Sequence, residues 1–275
     1  MISPPISGRR VELDANGIHQ EVLVYNEDAG ADLYLVPGIT SPAVTADFIA
    51  VRLAAAGFRV VVPDVRGRGG STATGPGSYT LADYAADAQA VIETLGLKAP
   101  ALVGHSMGAR IVGAVSLRRP DFGPVILVDP PLSGPGRDPY PTTREQFLTQ
   151  LHEAQRGTDA DAVRRFYPKW ALRELRIRAE YLASCDETAV VETHTGFETE
   201  DFHEIFAQLT APTLLVRGAD SPVVTEAGAR ELAALRPDIA IETISGAGHM
   251  VPWDNMADFF DTVLAFLSPA PAPTA

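Results

Sequence analysis

Ser106 stands in Gly104-His105-Ser106-Met107-Gly108, between the apolar run Ala101-Leu102-Val103 and the helix-like run Ala109 to Leu117. A serine on a sharp strand-to-helix turn projects its hydroxyl clear of the sheet in a strained backbone conformation, and G-x-S-x-G in that context marks a nucleophile elbow. The flanking glycines suit a turn in which a Cβ would clash. Free N–H groups of the helix that starts there point to where negative charge develops in acyl transfer.

A serine hydroxyl is a poor nucleophile at neutral pH, so it needs a base within hydrogen-bond reach and a third group to orient that base. His249 is the candidate base, in Ser245-Gly246-Ala247-Gly248-His249-Met250, directly after the strand-like run Ile239 to Ile244. His105 adjoins the serine in sequence, but the turn directs its side chain elsewhere; His19, His152 and His194 have no supporting context. Two aspartates end apolar strands: Asp129 in Leu127-Val128-Asp129-Pro130-Pro131, and Asp220 in Arg217-Gly218-Ala219-Asp220. Either can face the histidine, and the chain order Ser, Asp, His holds in both cases. Pro37-Gly38-Ile39-Thr40 follows an early strand, which places the Ile39 N–H beside that of Met107 as an oxyanion hole.

These residues need a scaffold that gathers them at one edge. Val11 to Leu13 and Ile18 to Tyr25 alternate around Asn16-Gly17 and predict an antiparallel hairpin. Leu33 to Val36, Val60 to Val62, Ala101 to Val103, Val125 to Val128 and Thr213 to Val216 are continuous apolar runs, as in strands buried on both faces. Helical patterns lie between most of them, at Val44 to Ala56, Leu81 to Leu95, Ser106 to Leu117 and Glu226 to Leu235. The alternation implies an α/β fold with a mostly parallel central sheet and helices on both faces. About eighty residues separate Val128 from Thr213, too many for a bare loop. Arg144 to Gln155, Ala160 to Tyr167 and Trp170 to Ser184 read as helices, with a break at Pro168. The expected organisation is a core of 1–136 and 209–268, a helical cap inserted at 137–208 over the strand ends, and a frayed tail at 269–275.

The chain of 275 residues carries a formal charge of −13, which disfavours nucleic acid and anionic membrane surfaces as partners. No apolar run reaches the length of a membrane span. The single cysteine, Cys185, and an N-terminus without a secretory pattern point to a reducing cytoplasm. Asp64 to Ser71 is glycine-rich but lacks the lysine and spacing of a phosphate loop, and reads as a packed loop near the site.

Over nearly its whole length the chain resembles the α/β-hydrolase superfamily. Within that superfamily, Leu35 to Ala43, Asp64 to Gly69, Gly104 to Arg110, Leu127 to Pro131, Ser133 to Arg137 and Gly248-His249-Met250 with Pro252-Trp253-Asp254 look like the N-formylmaleamate deformylases of bacterial nicotinate breakdown. The likeness extends to Arg178-Ala179-Glu180 and Cys185. In the superfamily the later strand usually ends with glycine and carries the acid three residues on; here Ser221 holds that slot, and Asp220 falls one residue early. The deformylases take their acid from the Asp-Pro-Pro turn, which favours Asp129.

What the resemblance implies is a cofactor-free, metal-free serine hydrolase of a C–N bond in a small anionic N-formyl amide, using Ser106, Asp129 and His249. Rival expectations are a carboxylesterase, a lactonase or a C–C bond hydrolase on a related ring-cleavage product, and a ligand-binding protein without turnover. A substrate carboxylate requires a cation, for which Arg110, Arg164, Arg165, Lys169, Arg173, Arg176 and Arg178 are the candidates. Phe166, Trp170, Ile177 and Tyr181 recur near helical spacing, as core packing residues do, and are candidates to roof the pocket; the substrate contacts are unknown, with Trp170, Arg178 and Tyr181 the candidates. Cys185 and His203 read as packing residues.

Overall fold

A computed structural model describes residues 5–267; the expected tail at 269–275 lies outside them. Among the described residues, eight strands form one sheet: β1 Arg9–Ala15, β2 Ile18–Tyr25, β3 Ala31–Val36, β4 Phe58–Pro63, β5 Ala101–His105, β6 Val125–Val128, β7 Thr213–Gly218 and β8 Ala240–Ile244. The order across the sheet is β1-β2-β4-β3-β5-β6-β7-β8. β1 pairs antiparallel with β2, and β2 with β4; every other pairing is parallel. The Asn16-Gly17 turn closes the first hairpin with positive φ at both residues, the backbone such a two-residue turn requires.

The helices are α1 Asp47–Ala55, α2 Leu81–Thr94, α3 Met107–Ser116, α4 Arg144–Gln155, α5 Ala160–Arg164, α6 Leu172–Tyr181, α7 Glu187–Thr199, α8 Phe202–Gln208, α9 Glu226–Leu235, α10 Val251–Asp254 and α11 Met256–Leu267. Because side chains alternate across a strand, Val60, Val62, Val103, Ile126 and Val216 join one core with α1 and α11. Val61, Leu102, Leu127 and Leu215 join the other, with α2, α3, α8 and α9. No helix among the described residues is long and apolar enough to cross a membrane.

Between β6 and β7 lie α4 to α8. Thr143 caps α4 through a reciprocal box with Gln146, which explains why that helix begins where its pattern does. Here the expected helix boundaries shift. The helix expected over Ala160 to Tyr167 stops at Arg164, since Pro168 disfavours helical backbone at Tyr167. The one expected from Trp170 starts at Leu172, because Trp170 is spent closing a turn onto the Tyr167 carbonyl. α6 is tied to the core at Asp47, whose carboxylate meets Arg173 at 2.5 Å and accepts from Tyr25 Oη at 2.8 Å. α8 packs on α3 and α9.

Parallel register brings the strand ends level: Val36 pairs with Gly104, and His105 with Val128. The loops after β3, β5, β6 and β8 therefore leave from one edge, and they carry Ile39, Ser106, Asp129 and His249. That edge depends on close backbone contact. A Cβ on Gly104 would lie 2.1 Å from Gly108 O, and one on Gly108 would lie 2.0 Å from Val36 O. Since the obstacles are backbone atoms, Gly108→Ala is expected to destabilise the protein by roughly 3 kcal/mol in urea unfolding. Full stability in that variant would contradict the tight packing of α3 on β3.

Candidate active site

Ser106 sits between β5 and α3 with φ 56° and ψ −119°, a conformation that non-glycine residues adopt rarely. Its N–H donates to Val128 O at 2.8 Å, which fastens the elbow to the neighbouring strand. His249 Nε2 lies 3.0 Å from Ser106 Oγ, and His249 Nδ1 lies 2.7 Å from Asp129 Oδ2. A carboxylate accepts, so Nδ1 carries the proton and Nε2 presents its lone pair to the serine. Asp129 is fully buried, at φ 49° just past β6, whereas Asp220 is exposed in the turn after β7. The structure thus brings Asp129 to the histidine and leaves Asp220 outside.

Ser221, three residues past Gly218, has a task of its own. Its Oγ donates to Asp129 Oδ2 at 2.5 Å, the same oxygen that meets the histidine. The carboxylate is held from two sides. Gly218 lets the two loops meet, since a Cβ there would stand 2.2 Å from Gly248 O. Gly248 N donates to Asp254 Oδ2 at 2.9 Å, which braces the histidine loop against α10.

Met107 is the first residue of α3, so its N–H has no acceptor within the helix. Ile39 lines the cavity beside it, and the Gly38 backbone comes close enough that a Cβ there would be 3.6 Å from Ser106 Cβ. Two buried arginines hold this loop. Arg68 Nε donates to Ile39 O at 2.9 Å, while Arg178 donates to Thr40 O and, at 2.9 Å, to Thr40 Oγ1. The glycine-rich Asp64 to Ser71 loop is accordingly a brace: it carries Arg68, and Asp64 accepts from Ala43 N at 2.6 Å and Gly70 N at 2.9 Å.

The cavity holds about 740 Å³ and is bounded by Ser106, His249, Tyr140, Phe147, Phe166, Tyr167 and Arg178. Arg178, one of the candidate contacts, is in its wall. Of the other two candidates, neither Trp170 nor Tyr181 is among its lining residues. Trp170 stacks 4.2 Å from Tyr167 and 5.1 Å from Trp253, serving as backing for the wall rather than its surface. Ile177 is core. Among the other cations, Arg165 pairs with Glu153, Arg173 with Asp47 and Glu174, and Arg164 with Asp161. Lys169 donates to Gly246 O, Arg110 to the carbonyls of Phe197 and Glu200, and Arg176 is exposed.

Tyr140, Arg68 and the role of Ser221 escaped sequence reasoning. Tyr140 lies between two prolines with no periodicity around it, so its one signal is an aromatic shortly after the Asp-Pro-Pro turn.

The sequence profile of the α/β hydrolase fold family matches residues 33–256, and the chain belongs to that family. It is an enzyme of the hydrolase class. Among its relatives, the N-formylmaleamate deformylase of Pseudomonas putida is 39% identical over 93% of this chain and 95% of its own length. The crystal structure of an N-formylmaleamic acid deformylase, also from Pseudomonas putida, superposes with a TM-score of 0.86 at 40% identity, covering 93% of this chain and 100% of that one. The 2-(acetamidomethylene)succinate hydrolase of Mesorhizobium japonicum is 31% identical over 83% of this chain and 84% of its own.

His105 has a measurable signature. Its Nε2 donates to His249 O at 2.9 Å, and burial, followed by the neighbouring His249, pushes its pKa from 6.5 down to about 3. Between those values the unfolded chain binds a proton that the folded chain refuses, so stability falls as pH falls. Equilibrium unfolding is expected to lose about 1.4 kcal/mol per pH unit across this window, over and above the loss in His105→Gln. Parallel pH profiles for the two proteins would contradict the burial of a neutral His105.

Proposed function

We propose that this chain is a serine deformylase that cleaves the formyl C–N bond of a small anionic N-formyl amide, with N-formylmaleamate as substrate and maleamate and formate as products. The observation that carries this reading is the hydrogen-bonded line Asp129–His249–Ser106, whose histidine and serine line a cavity that the buried cation Arg178 also lines. Two Pseudomonas relatives named for deformylation of that compound, matched over nearly their full lengths, support the choice of substrate. The single cysteine, buried and free, fits a reducing cytoplasm.

Ser106 Oγ attacks the formyl carbon as His249 Nε2 takes its proton, and Asp129 stabilises the imidazolium. The N–H groups of Ile39 and Met107 receive the oxyanion, in a site where donors are already aimed and need no reorganisation. Nitrogen leaves with a proton, and a second carbonyl on that nitrogen makes it a better leaving group than an ordinary amine. Water activated by His249 then releases formate.

Arg178 is the residue we assign to the substrate carboxylate. It is 3% exposed, its acceptors at Thr40 are a carbonyl and a hydroxyl rather than a carboxylate, and its Nε has no hydrogen-bond partner among the described residues. A buried guanidinium in that condition favours an anion. α4 to α6, which place Phe147, Tyr167 and Arg178 around the cavity, act as the cap.

Formate release from N-formylmaleamate is the test. Ser106→Ala is expected to lower turnover by about 10⁴-fold or more. Asp129→Asn is expected to cost about 10⁴-fold in kcat, and Asp220→Asn little; the opposite ranking would move the acid to the β7 turn. Arg178→Met is expected to raise KM for this anion roughly 100-fold while leaving KM for a neutral ester nearly unchanged. Rapid ester turnover without formate release would reject the substrate and leave a general esterase.

A further inference from the structure

Two hydroxyls lie within hydrogen-bond reach of His249 Nε2: Ser106 Oγ at 3.0 Å and Tyr140 Oη at 3.2 Å. With Nδ1 protonated toward Asp129, Nε2 offers a single lone pair. Serine attack consumes it, so the tyrosine hydroxyl beside it is left for a later step. It is well placed for one. Tyr140 is 4% exposed, and its ring is stacked on Phe147 at 6.2 Å, tilted against Phe197 at 5.0 Å and edge-on to His194 at 6.0 Å. His194 Nε2 donates to Thr142 O at 3.0 Å, securing the same segment, which Pro139 and Pro141 stiffen. The hydroxyl is therefore fixed between base and cavity. Burial raises its pKa far above the ordinary phenol value, which keeps it neutral, able to donate and accept at once.

We propose that Tyr140 is a catalytic residue that relays the proton from His249 to the departing nitrogen; this rests on the C–N cleavage reading above. In the tetrahedral adduct, Nε2 holds the proton taken from Ser106. That proton passes to Tyr140 Oη as the Oη proton passes to nitrogen. The C–N bond breaks with its electron pair going to nitrogen, and the oxyanion re-forms the formyl C=O on Ser106. One proton leaves the imidazolium, one arrives on nitrogen, and the phenol is neutral before and after. The relay matters in proportion to the leaving group's need for a proton. An amide nitrogen requires one, whereas p-nitrophenolate departs without it.

Tyr140→Phe separates the two cases. Its kcat/KM would be measured on N-formylmaleamate and on p-nitrophenyl formate, which forms the same formyl-enzyme. The relay predicts a loss of about 10²-fold on the amide, with little change on the ester, whose turnover also reports that the variant is folded. Equal losses on both substrates would make Tyr140 a support for the triad, and unimpaired amide cleavage would leave the hydroxyl idle; either result overturns the relay. A parent protein that hydrolyses the ester but releases no formate from the amide rejects the deformylase reading and the relay with it, an outcome visible before any variant is made.

Discussion

The contact on which the site depends is between backbones: Gly104 against Gly108, and Gly108 against Val36. Only glycine allows α3 to come so close to β3 and β5. That approach places Ser106 in its positive-φ turn, leaves the Met107 N–H free at the head of α3, and sets the Gly38 loop against the serine. Backbone strain at one residue is tolerated because the strands on either side over-determine it. The same sheet edge then delivers Asp129 and His249, each from the loop of a different strand.

Electrostatics act locally against the sign of the whole molecule. A chain of net charge −13 buries Arg68, Arg110 and Arg178, and two of these hold the loop that carries Ile39. Arg68 is satisfied by carbonyls and hydroxyls, including Tyr84 at 2.8 Å and Thr193 at 3.0 Å. Arg178 has the same kind of partners but reaches the cavity wall. One guanidinium therefore sets loop geometry, and the other joins loop geometry to the charge that a carboxylate substrate would meet.

Much of this was legible from residue types alone. Continuous apolar runs marked the buried strands, and G-x-S-x-G between strand and helix marked Ser106, because those signals are local. The acid was harder: two aspartates end strands, the one-residue offset of Asp220 and the Asp-Pro-Pro resemblance favour Asp129, and burial at φ 49° against exposure in a turn separates the two in three dimensions. Ser221 shows why an offset of one residue matters, since its side chain, and not that of Asp220, points at Asp129. The pocket contacts were least legible. Helical spacing groups Trp170, Ile177 and Tyr181, yet Trp170 precedes α6 and stacks on Trp253, while Tyr140 comes from an irregular segment that no periodicity describes. α7 and α11 are amphipathic helices that pattern reading passed over.

The proposed deformylation runs through covalent catalysis by Ser106. The most direct measurement is rapid-quench mass spectrometry of the protein during turnover of N-formylmaleamate, with digestion to find the modified residue. The expected result is the mass of one formyl group, appearing and decaying within a turnover, on the peptide that contains Ser106. Full turnover with no acyl group on that peptide, or with one on another residue, would contradict it.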